Sequence, residues 1–307
     1  MKLEGIHHIT AVTADAPRNV DFYARVLGLR MVKKTVNQDD PTVYHLFYAD
    51  EKGSPGADLT FFEYPGAPLG RAGDGMVHRI VWRVGAAEAL DFWSSRLADE
   101  GTEPRREGES LVFADPEGLE HELHVVDVPD EPLIADHPEV PREHALQGFD
   151  GVRAYASDPE ASADLLEQAL GFERKGEVWE LRGESRGGWL AYDAPPAERG
   201  MPSAGTVHHV AWASQNEDQE EWRARATQHG ARATPVIDRF WFRSVYFREP
   251  SGVLFEIATL GPGFSADEDP DHLGEKLVLP PRFESQRERI EATLQPVENP
   301  RAVARGA

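Results

Sequence analysis

The chain has 307 residues, of which 40% are hydrophobic and 9% aromatic, so it predicts a globular protein with a sizeable core. A formal net charge of −22 disfavours nucleic acid or an anionic membrane as partner, and we expect a solvated acidic surface. Adaptation to high salt stays open. There is no cysteine, which excludes disulfides and thiolate metal sites, so any metal must be held by His, Asp and Glu. The absence of a membrane-length apolar run and of a signal-peptide pattern predicts a cytoplasmic protein.

Along the chain, one unit recurs four times, each copy starting with an apolar strand and a helix. The copies span residues 1–66, 75–128, 147–194 and 205–260. Their first strands and helices read IHHITAVT with PRNVDFYARVLGL, MVHRIVWRV with AAEALDFWSSRLADEG, FDGVRAYASD with PEASADLLEQALGF, and TVHHVAWAS with EDQEEWRARATQHG. Further strands follow each helix. The sequence therefore predicts an α+β protein of four βαβββ modules.

The modules group into two predicted domains by chain position. Residues 1–128 and 147–260 would form the domains, and the Pro-rich stretch 129–146 would link them. The remaining residues, 261–307, would form a C-terminal extension. We expect a short helix there over about 285–294, with Ser285 and Glu288 at capping-box spacing, and a frayed end over roughly the last ten residues.

Two strands carry adjacent histidines. The phrase GIHHITAV covers residues 5–12, and TVHHVAW covers 206–212. A third apolar strand, VLFEIAT, holds Glu256 at its centre. A buried imidazole or carboxylate needs a polar partner or a metal. Two His and one carboxylate form the facial set that leaves open positions on non-haem Fe(II), so these strands predict a metal site.

Aligning the four copies indicates which of them share that site. His8 and His209 occupy the same position in the first and last copies. The second and third copies have Arg79 and Gly151 there, with one carboxylate, Glu122, where the last copy has its strand glutamate. Such a set would not retain a metal. The metal site should therefore join the first and last modules.

With this repeat and these ligand positions, the chain resembles the vicinal oxygen chelate superfamily and, within it, the ring-cleaving dioxygenases that open hydroquinones. The resemblance rests on HHIT, YHLFYADEKGSPG, EHALQGF, VHHVA, the FE of the last strand, GFSADEDPDHLG and LPP. It implies cupped mixed β-sheets with helices outside, and a mononuclear Fe(II) held by His8, His209 and Glu256. It also implies a small aromatic substrate and O2 as partners. A homo-oligomer stays open.

The resemblance also implies roles for residues near the metal. Strand alternation would turn His7 and His208 to the opposite face, whereas the family places such residues near the iron as supporting or acid/base groups. Thr10, in the HHIT phrase, would orient these neighbours. The remaining histidines considered are predicted to be structural or at the surface: His45, His78, His121, His124 and His144.

Three further candidates lie before the last strand. Tyr246 precedes Glu256 by ten residues, and a tyrosine at this spacing in extradiol dioxygenases hydrogen-bonds the metal-bound substrate oxygen. Arg239 and Arg243 flank the same strand, and an arginine there would stabilise a hydroquinonate anion or a developing oxyanion. The sequence does not choose between the two arginines.

Glu63 keeps other functions open. It lies in the last strand of the first module, and adding it would give the His, Glu, His, Glu set of glyoxalase I, which binds Zn or Ni. The alternatives to a hydroquinone dioxygenase are therefore a glyoxalase I-type isomerase or lyase and a catechol extradiol dioxygenase, with Mn, Zn or Ni as alternative metals. A metal-free binding protein of the superfamily would not retain both histidine pairs.

Overall fold

The computed structural model describes residues 1–301 and contains two mixed β-sheets of eight strands each. The strands of the first module are β1 (Ile6–Thr13), β2 (Arg30–Val36), β3 (Tyr44–Ala49) and β4 (Asp58–Glu63). Those of the second are β5 (Val77–Val84), β6 (Arg105–Glu107), β7 (Ser110–Ala114) and β8 (Glu120–Val125). The third has β9 (Phe149–Tyr155), β10 (Glu173–Lys175), β11 (Val178–Arg182) and β12 (Gly187–Asp193). The fourth has β13 (Thr206–Ser214), β14 (Ile237–Asp238), β15 (Arg243–Arg248) and β16 (Leu254–Thr259).

The predicted α+β fold of four βαβββ modules is confirmed, but the sheets do not follow the order of the modules in the chain. One sheet has the order β14-β15-β16-β13-β1-β4-β3-β2, and the other β10-β11-β12-β9-β5-β8-β7-β6. The first module thus shares a sheet with the fourth, through the antiparallel pair β1–β13, and the second shares one with the third. The domain boundaries assigned by chain position stay a prediction.

The helix between the first and second strands differs between odd and even modules. In the first module an α-helix, Ala16–Val20, continues as a π-helix, Asp21–Val26, and in the third a 3-10 helix, Pro159–Ser162, precedes a π-helix, Asp164–Ala169. The even modules have α-helices, Ala87–Asp99 and Gln219–Gln228. The sequence differs in the same alternating way, since LGL and LGF directly follow the odd helices and EG and HG directly follow the even ones. Within residues 1–301, no helix combines the length and apolar character needed to cross a bilayer.

The C-terminal extension contains several short helices, and the last of them lies within the predicted range of 285–294. Its 3-10 helices are Phe264–Ala266, Pro270–His272 and Pro281–Gln286, and an α-helix follows at Arg287–Glu291. The capping-box prediction was wrong, because Ser285 lies inside the preceding 3-10 helix and the cap residue, Gln286, makes no side-chain cap hydrogen bond.

The chain beyond that helix is anchored where the structure describes it. The Asn299 side chain donates to the backbone carbonyl of Met31 at 3.2 Å, and Arg301 pairs with Glu51 at 2.6 Å. Residues 298–301 are therefore held against the first module instead of frayed. The rest of the predicted frayed end, residues 302–307, lies outside the described residues.

Candidate metal centre

Three strands of one sheet bring the predicted metal ligands together. His8 lies on β1, His209 on the adjacent β13, and Glu256 on β16, which pairs with β13. All three side chains are at most 4% exposed. Within the described residues they form the one group of three or more His, Cys, Asp or Glu side chains that could hold a metal ion. The predicted joining of the first and last modules therefore agrees with the geometry.

The candidate ligand atoms are spaced as a small metal ion requires. The Nε2 atoms of His8 and His209 are 3.2 Å apart, and Glu256 Oε2 lies 3.3 Å from the former and 2.9 Å from the latter. Ligands at right angles around a metal, with bonds of about 2.1 Å, would be about 3.0 Å apart. Both Glu256 oxygens are buried without a hydrogen bond of good geometry among residues 1–301. A cation would satisfy these oxygens, so the residues fit a bound metal.

The pair of hydrogen bonds around His7 sets the tautomer of His8. His7 Nε2 lies 3.1 Å from the backbone carbonyl of Thr259, which can only accept, so this nitrogen carries the proton. Burial, and the neighbouring His8, lower the pKa of His7 to about 3, which leaves its ring neutral and Nδ1 free to accept. His8 Nδ1, 2.9 Å away, must then donate, and the lone pair of His8 Nε2 is left facing the metal position.

Irregular pairing of β1 and β13 explains why both members of each histidine pair lie near the site. The Cα register passes from Ile6 directly to His8 on β1, and from His209 to Val207 on β13. His7 and His208 are thus the extra residues of two bulges, which redirect side chains out of strict alternation. His208 Nδ1 lies 2.8 Å from His209 Nδ1, as His7 does from His8. The expectation that alternation turns His7 and His208 away was wrong for this reason.

Of the two candidate arginines, Arg239 lies at the site and Arg243 does not. Arg239 pairs with Asp39 through two bonds of 3.0 and 2.9 Å, and its guanidinium lies 5.4 Å from the centre of the Tyr246 ring. Arg243 is exposed and donates to the backbone carbonyl of Asn216. It stands three residues before Tyr246 on the strand, so strand alternation directs it to the opposite face.

Tyr246 lies beside the ligands as predicted from its spacing. It pairs with Glu256 across β15 and β16, and its ring centre is 5.7 Å from that of His209. Burial, together with the charge of Glu256, raises the pKa of Tyr246, although Arg239 opposes this. The phenol therefore keeps its proton and can donate it.

The ionisation of two ligands suits metal binding. Burial alone would raise the pKa of Glu256, but the neighbouring His8 and His209 hold it well below its ordinary value. Burial lowers the pKa of His209 despite its contact with Glu256. An ionised carboxylate and a neutral imidazole are the forms that coordinate metals.

A small cavity opens at these ligands. Beside the ligands His8 and His209 and the residues Arg239 and Tyr246, the cavity is lined by Asn37, Gln38, Asp39, His45, Phe47, Phe62, Trp241 and Phe242. The exposed surface of the cavity is mainly apolar, and its aromatic side chains suit a flat ring.

His45 is a cavity residue that the sequence prediction missed, since it was assigned a structural role. Its position in an ordinary apolar strand, YHLFYA, gives no local signal of function. The other histidines that were assigned structural or surface roles lie outside the cavity. His78 contacts Asp193, His121 contacts Tyr23, His124 contacts Asp150 and His144 contacts Phe92.

The structure separates Glu63 from the metal ligands. Glu63 Oε1 accepts the backbone N–H of Ala16 at 2.9 Å, at the start of the first helix. The residue in register with Glu256 is Thr60, because Thr60 pairs with Thr10, two residues after His8, just as Glu256 pairs two residues after His209. Thr10 is fully buried, and its Oγ1 lies 2.8 Å from that of Thr60. A hydroxyl thus stands where a fourth carboxylate ligand would be needed.

Comparisons with known proteins show which family this chain is similar to. A family model described as Glyoxalase/Bleomycin resistance protein/Dioxygenase superfamily matches residues 5–123 and 148–257. The chain is 44% identical over 306 residues to "Putative ring-cleaving dioxygenase MhqO" of Bacillus subtilis, covering 97% of each protein. It is 30% identical to "Chlorohydroquinone/hydroquinone 1,2-dioxygenase" of Sphingobium indicum, covering 95% of this chain and 96% of that protein.

Solved structures show the same fold. The crystal structure of a putative dioxygenase from Bacillus subtilis matches with a TM-score of 0.89 and 40% identity, over 97% of this chain and 98% of that one. A mutant of glyoxalase I from Zea mays matches with a TM-score of 0.59 and 17% identity, over 83% of this chain and 92% of that one. The second likeness is one of fold alone.

Proposed function

The chain belongs to the Glyoxalase/Bleomycin resistance protein/Dioxygenase superfamily, and we propose that it is an Fe(II)-dependent dioxygenase that cleaves the ring of a hydroquinone. The proposal rests on the convergence of His8 Nε2, His209 Nε2 and Glu256 Oε2 within 3.3 Å of one another. Relatives that match nearly the whole chain carry ring-cleaving dioxygenase names, and one of them names hydroquinone.

The metal would be held by His8, His209 and Glu256. When bound, Fe(II) would supply adjacent open positions for a substrate hydroxyl and O2, and would lower the pKa of that hydroxyl. The chain's own part is to keep this face free of further ligands and to hold the His8 imidazole in the coordinating tautomer. The hydrogen bond from His7 to the Thr259 carbonyl supports that tautomer for His8.

Tyr246 is the proposed proton donor. Its phenol lies beside the ligand His209 and keeps its proton because its pKa is raised by burial and by the nearby Glu256. Arg239 stacks on the phenol ring and orients it, while the pair with Asp39 fixes the guanidinium. His208, which is exposed, is the second candidate for proton transfer. The aromatic side chains Phe62, Trp241 and Phe242 would bound the plane of the substrate ring.

The position of Glu63 favours this function over a glyoxalase-type isomerase. A His, Glu, His, Glu site needs a carboxylate in the first module beside the two histidines. The residue in register there is Thr60, and Glu63 accepts the Ala16 N–H instead. Three protein ligands leave more of the metal open to substrate and O2 than four would.

The proposed function is tested with protein purified without oxygen and loaded with Fe(II), Mn(II), Zn(II) or Ni(II). We expect the Fe(II) form to consume O2 with hydroquinone and to place both atoms of labelled O2 in the ring-opened product, as mass spectrometry would detect. Catechol serves as the 1,2-diol comparison. The methylglyoxal–glutathione hemithioacetal tests isomerase activity. Isomerisation of this compound without O2 consumption, or no O2 uptake on any aromatic diol, would contradict the proposal.

A further inference from the structure

Most polar side chains that line the cavity are already engaged with other protein groups. Asn37 and Gln38 use both atoms of their side-chain amides in hydrogen bonds. Asp39 and Arg239 form a bidentate salt bridge. His45 differs, because its Nδ1 has no hydrogen-bond partner among residues 1–301 and is not among the fully buried unpaired atoms. This nitrogen is available to a molecule in the cavity.

The ring of His45 is held in place on three sides. Its Nε2 lies 2.8 Å from Thr60 Oγ1. Its ring centre is 4.0 Å from that of Phe47 and 4.4 Å from that of Phe62, so the two aromatic rings restrict its orientation. A polar group held in this way needs little ordering when a ligand binds, which favours affinity.

The hydroxyl pair behind His45 allows its free nitrogen, Nδ1, either to donate or to accept a hydrogen bond. Thr10 Oγ1 and Thr60 Oγ1 are 2.8 Å apart, and each can donate or accept. If the chain of bonds runs from Thr10 through Thr60 to Nε2, then Nδ1 of His45 carries a proton. If it runs the other way, Nδ1 has a lone pair. Burial lowers the pKa of His45, so the ring is neutral and both arrangements are accessible.

We propose that His45 is a substrate-binding residue that takes the second hydroxyl of a 1,4-dihydroxylated ring and so makes the cavity selective for hydroquinones. This inference rests on the proposed function. In a 1,2-diol the two hydroxyls are adjacent, and both can face the metal. In a 1,4-diol the second hydroxyl points across the ring, away from the metal, and needs a partner on the cavity wall. His45 Nδ1 is the ring nitrogen free to bind it.

The test compares hydroquinone with phenol, which has the hydroxyl for the metal but lacks the second one. Binding of each is measured anaerobically by titration calorimetry on the Fe(II)-loaded protein, and kcat/KM for hydroquinone and for catechol is measured with O2. In His45→Phe we expect hydroquinone affinity to fall roughly 10–100-fold, in keeping with a lost buried hydrogen bond. Phenol affinity should change by less than about threefold, because it does not depend on that hydrogen bond, and kcat/KM should fall more for hydroquinone than for catechol.

Thr60→Val is the matched second variant, since it preserves the shape of the side chain and removes only the hydroxyl behind Nε2. Here the preference for hydroquinone over phenol should fall less than in His45→Phe but measurably. If His45→Phe loses its fold or its metal, this variant decides, and an unchanged preference in it would overturn the proposal.

The outcomes separate this proposal from the proposed function. A wild-type protein that binds hydroquinone no better than phenol overturns the role of His45, whatever its O2 uptake. So does a His45→Phe protein with full metal content and an unchanged preference. A wild-type protein that prefers hydroquinone but consumes no O2 contradicts the dioxygenase function, while the loss of preference in His45→Phe would still support the binding role.

Discussion

The two sheets have the same strand plan and the same central register, yet they differ at the place where a metal would bind. In the first sheet His8 lies opposite Ala211, and in the second Arg79 lies opposite Arg153 at the equivalent pair of positions. Both central strand pairs are antiparallel, and both carry irregularities near their ends. The difference between the sheets is therefore one of side chains and not of backbone topology.

The centre of the second sheet is an ion-pair network. Arg79 lies within 3.0 Å of a Glu107 oxygen, 3.0 Å of a Glu120 oxygen and 3.2 Å of a Glu122 oxygen. A guanidinium stays charged and has no lone pair to offer a metal. Glu122 corresponds to the ligand Glu256 of the first sheet, and its charge is thus already paired with Arg79.

The position that corresponds to His209 is occupied by Gly151 in the second sheet. A Cβ atom there would clash with the indole ring of Trp189. This indole donates to Asp150 at 2.7 Å, which keeps it over the glycine. At the position of the metal ligands the second sheet thus places its own side chains, whereas the first sheet opens onto a cavity there. The same backbone plan thus supports a candidate metal site in the first sheet and a packed set of ion-paired side chains in the second.

The largest effect is expected when the first site is given the residue of the second. In His8→Arg the guanidinium should pair with Glu256 as Arg79 pairs with Glu122, and metal content should drop from one per chain to background, with loss of O2 uptake. Metal analysis after anaerobic purification measures this. The matched control, Arg79→His, should leave metal content unchanged because Gly151 supplies no second ligand. Full metal occupancy in His8→Arg would show that the assigned ligands are wrong.

A second difference between the sheets is the tyrosine beside the ligand carboxylate. Tyr246 pairs with Glu256, whereas Val112 pairs with Glu122 in the second sheet. In Tyr246→Phe we expect kcat to fall by roughly 10²–10⁴-fold, the range for a lost acid/base group. Metal content and Tm should stay the same. The control variant Tyr155→Phe removes a hydroxyl from the second sheet and should have wild-type kinetics. Equal kinetics for the two variants would show that Tyr246 serves only in packing.

The filled centre of the second sheet predicts a stability effect. Gly151→Ala should lower the free energy of unfolding by about 1–3 kcal/mol, because the added methyl group overpacks the Trp189 ring. Urea unfolding measures the change. Trp189→Leu in the same chain should restore part of the loss, since it makes room for the methyl group. An additive double variant would indicate that the two side chains do not interfere.

The smallest effect concerns Glu63. Glu63→Ala should retain the metal and O2 uptake and should lower stability by about 1 kcal/mol, because the Ala16 N–H loses its acceptor. Glu63→Gln keeps an acceptor oxygen and should be closer to wild type. Metal analysis and thermal unfolding of both variants check this. Loss of metal in both would make Glu63 a ligand and restore the glyoxalase-type alternative.

The module architecture and the three candidate ligands were predictable from the sequence because their signals are local or repeated. Apolar residues mark β1 and β13 as strands. The internal repeat aligns His8 with His209 and shows that the second module has Arg79 at the same position. Elements without such a pattern belong to the predicted modules, but their positions were not assigned from the sequence. The strands Arg105–Glu107 and Glu173–Lys175 are three residues long and exposed throughout, so no hydrophobic periodicity identifies them.

Only the tertiary structure decided which further side chains contact the ligands or line the cavity. Strict alternation predicts the wrong face for His7 and His208, because a bulge adds one residue without a partner and reverses the facing of its neighbours. His45 reaches the cavity through the packing of β3 beside β4. Glu63 is displaced from the ligands by a three-residue offset from Thr60, which depends on the pairing of β1 with β4. Register between distant strands is set by the whole sheet, and the residues of one strand do not encode it alone.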